Sequence, residues 1–121
     1  MSARGRQTGE PPPQLAIARK LQALRQLRIQ ALGDRFFADP AWEMLLDLFV
    51  SHHERRRLSV SAVCIGTGGS SATALRYLAL LQSEGLIIRI RDMTDGRRTY
   101  VELSEVGLAR MEWLIDRYGV D

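Results

Sequence analysis

A helix that stops directly against a β-hairpin leaves a chain few ways to fold, and residues 68–107 spell out that junction. From Ser70, SSATALRYLALLQSEGL sets Ala74, Leu75, Leu78 and Leu81 at helical spacing behind a serine cap. Gly85 follows the last apolar turn, where a helix commonly ends on a left-handed residue. Two β-rich runs come next, LIIRIR (Leu86–Arg91) and RTYVELS (Arg98–Ser104), joined by the turn DMTDGR. Ser104 then opens another helix, with Gly107 in its first turn.

The flanking segments predict helices. Gln14–Leu32 places Leu15, Ile17, Leu21, Leu24, Leu27, Ala31 and Leu32 near one face, with Arg19, Lys20, Arg25 and Arg28 outside and Gly33 as the stop. Asp39-Pro40 is a strong start signal, Asp as cap and Pro at the first helical position. The helix after it, AWEMLLDLFVSHH, is expected to bury Trp42, Leu45, Leu46, Phe49 and Val50. Arg55, Arg56 and Arg57 form a connector, and Ser59 caps a short helix, Val60 to Ile65. The turn Gly66-Thr67-Gly68-Gly69 separates that helix from the one after Ser70, a helix-turn-helix signal. A last helix over 105–119 carries Leu108, Met111, Leu114 or Ile115, and Tyr118 on one face. Residues 1–13, polar with three consecutive prolines, read as a disordered arm. Residues 14–121 then form a single domain without internal repeats.

Charge sharpens this layout. The net charge of the 121 residues is only +3, but it is segregated. Arg55 to Arg98 holds eight Arg against three acids, Asp39 to Glu54 holds four acids and no Lys or Arg, and residues 99–121 hold two Arg against five acids. The basic stretch coincides with the helix–hairpin unit, which favours an anionic partner on that face. No segment approaches the roughly 20 apolar residues of a membrane span. Arg4 and Arg6 are followed by no apolar run of a signal peptide. The single cysteine, Cys64, excludes an internal disulfide, fits the cytoplasm and reads as a core residue.

These elements describe a mainly α fold with a small β-hairpin: a winged helix-turn-helix between N- and C-terminal helices. The expected partner is double-stranded DNA. The helix after Ser70 enters the major groove with Ser70, Ser71, Ala72, Thr73, Arg76 and Tyr77 on or near its open face, and Arg76 suits a bidentate contact to guanine. The turn carrying Asp95, Arg97 and Arg98 is the wing tip, where Arg enters a narrow minor groove and Asp95 holds one of the two Arg. Arg55, Arg56 and Arg57 are candidate phosphate contacts.

His52-His53-Glu54 makes no metal site, because adjacent helical residues point apart and no partner ligand is evident. No catalytic constellation or cofactor loop is present: the Gly66-x-Gly68-Gly69 run follows a helix rather than a strand. The alternative to specific DNA reading is a winged-helix protein-interaction or adaptor module with only nonspecific DNA affinity.

A family resemblance rests on the wing. Asp95-x-Arg97-x-x-x-Val101-x-Leu103-Ser104-x-x-Gly107 resembles the signature D-x-R-x-x-x-V-x-L-T-x-x-G of MarR-type winged helix-turn-helix regulators, with Ser for Thr at the cap. LLQSEGLIIR (Leu80–Arg89) resembles the end of that family's recognition helix and its first wing strand. The similarity runs from about Leu58 to Gly107. It implies a homodimeric transcriptional regulator, with Arg97 in the minor groove, an inverted-repeat site, and a dimer built by Gln14–Leu32 and Glu105–Tyr118. The sequence identifies no small-molecule effector.

Overall fold

The computed structural model describes residues 12–32, 39–67 and 70–118. In chain order these form α1 (Pro13–Leu32), α2 (Pro40–His53), β1 (Leu58–Ser59), α3 (Val60–Gly66), α4 (Ser71–Ser83), β2 (Ile87–Arg91), β3 (Thr99–Leu103) and α5 (Glu105–Tyr118). The arm expected over residues 1–13 lies outside the described residues except at its end, where Pro13 already opens α1. Gly33, Gly68 and Gly69 also lie outside them.

Local chemistry sets the starts of α2, α3 and α4. Asp39 Oδ1 accepts the Trp42 amide at 3.2 Å, Ser59 Oγ the Ala62 amide at 3.1 Å, and Ser70 Oγ the Thr73 amide at 3.2 Å. Each satisfies a first-turn donor that has no partner within its helix. Gly85, at φ +79°, ends α4 as expected. Its amide reaches the Gln82 carbonyl and the Leu86 amide reaches the Leu81 carbonyl, both at 3.0 Å. The end of α2 repeats this geometry with a non-glycine residue. Arg55 sits at φ +59°, and the Arg55 and Arg56 amides donate to the His52 and Ser51 carbonyls at 3.2 and 2.9 Å.

The sheet adds to one expectation. The β2–β3 hairpin forms as expected, and β1, in the segment read as connector and cap, joins it as a third strand, in the order β1-β3-β2, all antiparallel. Leu58 pairs with Val101 and Ser59 with Tyr100, while Ile87 to Arg91 pair with Leu103 to Thr99. A two-residue strand has no alternation to read, and its partner lies more than 40 residues downstream.

α2 is the central element, and its burial differs from the five residues expected. Met44 and Leu48 enter a cluster with Val63, Cys64, Ala74, Leu78, Leu81, Ile87 and Val101. Leu46, Phe49 and Val50 enter a second cluster with Leu15, Ala18, Met111 and Ile115. Trp42 and Leu45 are only partly buried. The helix thus joins the helix-turn-helix and wing on one side to the terminal helices on the other.

α1 also departs from its expected face. Leu15 and Ala18 are buried, whereas Leu24, Leu27 and Leu32 are exposed by 46, 61 and 63%. Arg25, expected outside, is packed inward in an ion pair with Glu43 of α2. On α5 the buried apolar residues are Met111 and Ile115, while Leu114 remains exposed; the Arg28 and Tyr118 side chains are not among those described. Gln14 of α1 donates to Asp116 of α5 at 2.7 Å, tying the two terminal helices.

Candidate nucleic-acid interface

The wing tip is organised by one carboxylate. Asp92 Oδ1 accepts the Thr94 amide at 2.9 Å, the Thr94 hydroxyl at 2.8 Å and the Asp95 amide at 3.3 Å, and its Oδ2 accepts the Tyr100 hydroxyl at 3.4 Å. These bonds, led by the one from the Thr94 amide, favour the charged carboxylate and hold its pKa below the ordinary aspartate value. The hairpin closes with the Asp92 amide on the Arg98 carbonyl and the Arg98 amide on the Asp95 carbonyl, each at 2.9 Å. The ordered turn presents Arg97 to solvent at 95% side-chain exposure. Of the two arginines it is Arg97 that Asp95 orients, through its amide at 3.2 Å and its Nε at 3.5 Å.

Between wing and α3 runs an open groove of about 870 Å³, lined by Arg57, Ser61, Arg89, Arg97, Arg98 and Tyr100 among others. Asp95 is the one acid among its lining residues. Arg89 is a groove residue that the sequence reading missed. Strand alternation was its signal: Arg89 lies opposite Val101, on the same side of β2 as buried Ile87.

The connector arginines are not equivalent. Arg57 is held at the groove by Glu102 at 3.2 Å, with its guanidinium 5.0 Å from the Tyr100 ring centre. Arg56 pairs with Glu54 at 2.6 Å, and Arg19 of α1 binds the same carboxylate. These two bonds, Arg19 first, draw the Glu54 pKa below its ordinary value. Arg55 is exposed and, with Arg56, Arg57 and His52, lines a separate hollow of about 250 Å³.

α4 turns Ala74, Leu78 and Leu81 into the core, as its spacing requires. Ser70, Ser71, Ala72 and Arg76 are exposed. Two expected reading residues are placed otherwise. Thr73 is half-buried and its hydroxyl is 3.0 Å from that of Ser70, so both serve the helix start. Tyr77 packs against the core cluster, with the Arg76 guanidinium 5.7 Å from its ring centre. Leu75, grouped by sequence with the apolar face, is instead 45% exposed.

The turn before α4 is supported from α3. Thr67 is buried and its hydroxyl donates to the Cys64 carbonyl at 2.8 Å. Cys64 itself is in the core, where burial pushes its thiol pKa up. Among the described residues no three His, Cys, Asp or Glu side chains group to hold a metal ion, and no helix is long and apolar enough to cross a membrane.

No family model and no curated protein matches the sequence. Solved structures do match. The S. aureus MepR–DNA complex aligns over 85% of this chain and 79% of its own, with 17% identity and a TM-score of 0.59. S. aureus MepR in its DNA-binding conformation aligns over 80% and 69%, with 21% identity and a TM-score of 0.59. The heme sensor PefR, in complex with heme and carbon monoxide, aligns over 85% and 70%, with 16% identity and a TM-score of 0.55. At these identities the likeness concerns architecture: the chain has the winged helix-turn-helix fold of MarR-type regulators.

Proposed function

We propose that this protein is a sequence-specific DNA-binding regulator of transcription that acts in the cytoplasm as a homodimer, with residues 14–121 as one domain. α4 enters the major groove, and the wing lays Arg97 in the adjacent minor groove. The observation that carries this reading is the basic groove: four arginines from the connector, β2 and the wing converge on it, beside α3 and within a fold that in MepR is seen on DNA. Arg97 is exposed yet oriented by Asp95, which suits insertion where the minor-groove potential is enhanced.

Dimerisation is supported by apolar surface left open on the terminal helices. Leu24 and Leu27 of α1 and Trp113 and Leu114 of α5 are all exposed, by 46, 61, 57 and 39%. Leu24 and Leu114 border a hollow of about 320 Å³ shared with Trp42 and Ile115. A two-fold dimer would read an inverted repeat with half-sites about one helical turn apart.

Selection of bound duplexes from a random pool, followed by salt titration, tests the reading. An inverted repeat that keeps its advantage over random duplex as salt rises is the expected result. Arg97→Ala should weaken binding most at sites with a narrow minor groove. Equal binding of every duplex would sink specific reading and leave the adaptor alternative.

A further inference from the structure

The open face of α4 carries little that can hydrogen-bond to a base. A helix turns about 100° per residue, so Ala72, Arg76 and Ala79 form one strip opposite the buried Ala74, Leu78 and Leu81, with Leu75 along its edge. Arg76 is the one long polar side chain in that set. The Ser70 and Thr73 hydroxyls bond to each other, Tyr77 leans on the core, and the exposed Ser71 hydroxyl, which both donates and accepts, fits any base edge and selects none. The one exposed side-chain amide of the helix, Gln82, lies in its last turn, away from the N-terminal half that meets base edges.

Base chemistry limits what such a strip can recognise. Adenine is read by paired donors and acceptors from Asn or Gln, and cytosine by a carboxylate. Neither is available here. Guanine suits Arg76, and the remaining major-groove feature is the thymine methyl group, which is read by apolar contact. Leu75 is large, apolar and 45% exposed.

The surroundings favour DNA over an apolar protein surface as the occupant of this strip. α4 packs on α3 and β2, two of the elements that bound the arginine groove. Arg76 within the strip, and an arginine groove on two elements that α4 packs against, suit a phosphate-walled groove floored with methyl groups.

We infer that α4 reads its half-site through thymine methyl groups packed on Leu75 and Ala72, next to a guanine held by Arg76. The inference rests on the DNA reading proposed above and adds the base composition of the half-site. It places thymines within one or two base pairs of a guanine, and methyl burial rather than hydrogen bonding discriminates at those positions.

The test replaces thymine by deoxyuridine, one position at a time, in the duplex selected by the full chain. Deoxyuridine removes only the methyl group and leaves the protein untouched. Affinity should fall about fourfold per contacted methyl, as expected for one buried carbon. Leu75→Ala should abolish that penalty at one position of each half-site, while the guanine preference persists and disappears only in Arg76→Ala. Deoxyuridine sites that bind as tightly as thymine sites overturn the inference. So does a penalty that Leu75→Ala leaves intact at every position. If no duplex is selected at all, the DNA reading itself falls, which is a distinguishable result.

Discussion

The Leu86 carbonyl oxygen occupies the space a side chain on Gly107 would need: a Cβ built there lies 2.1 Å from it. The same oxygen accepts the Ser104 amide at 2.9 Å. Ser104 Oγ donates to the Gly85 carbonyl at 2.6 Å and accepts the Gly107 amide at 2.9 Å. The first turn of α5 is therefore clamped onto the junction between α4 and β2. The Leu-Ser-x-x-Gly end of the wing signature is, in this chain, a close-packing requirement.

Gly107→Ala must push the α5 backbone away from Leu86, since a carbonyl cannot rotate aside as a side chain would. A stability loss of about 3 kcal/mol is expected, at the upper end of overpacking costs. Gly96→Ala is the control, because a Cβ there meets nothing within 4 Å. Denaturant midpoints of the two variants should separate clearly; equal midpoints would mean that the clamp yields.

Arg55 holds a left-handed conformation, φ +59°, at the end of α2, where glycine would be relaxed. Arg55→Gly should raise stability by about 1 kcal/mol, the cost of that region for an L-residue. If Arg55 also meets phosphate, the same variant should bind DNA with a salt slope reduced by about 1. An unchanged midpoint in urea would show that the turn carries no strain.

Two aspartates impose opposite pH dependences. Asp92 has a depressed pKa, chiefly through the Thr94 amide, so its contribution is present above the ordinary carboxylate pKa of about 3.9 and is lost as pH falls through the folded value. Hydrogen exchange at the Thr94 and Asp95 amides should therefore accelerate, beyond its intrinsic pH dependence, in that acidic window. Asp47 behaves in reverse. Burial raises its pKa, against the lowering effects of Arg56 and Gln22, so stability falls as pH rises through the raised value. Asp47→Asn should remove that loss and lift the neutral-pH midpoint; a lower midpoint would mean that the carboxylate's partners outweigh its burial.

Leu27→Glu addresses the dimer. Leu27 is 61% exposed within one chain, so a monomer should tolerate the change with little loss of helicity. Sedimentation should show a dimer for the parent protein and a monomer for the variant, and affinity for an inverted repeat should fall with it. A monomeric parent protein, or a variant of unchanged mass, would overturn the proposed interface.

What could be read in advance follows the range of the forces involved. Asp39, Ser59, Ser70 and Ser104 were legible as caps, and Gly85 as a stop, because each bonds within three to five residues of itself. The wing and its Arg97 were legible for the same reason: Asp92, Asp95 and the turn between the strands form a local unit. β1 was not, since Leu58 becomes a strand only when Val101 arrives beside it.

Nor could spacing along α2 reveal that Met44 and Leu48 are buried as fully as Leu46 and Phe49, because that depends on elements closing over both sides. Arg25 turns inward on account of Glu43, and Leu75 turns outward because the core is already filled by Ala74, Leu78 and Leu81. Short-range hydrogen bonding and turn stereochemistry were written along the chain. The basic groove and the apolar edge of α4 were decided by which distant segments compete for the same buried volume.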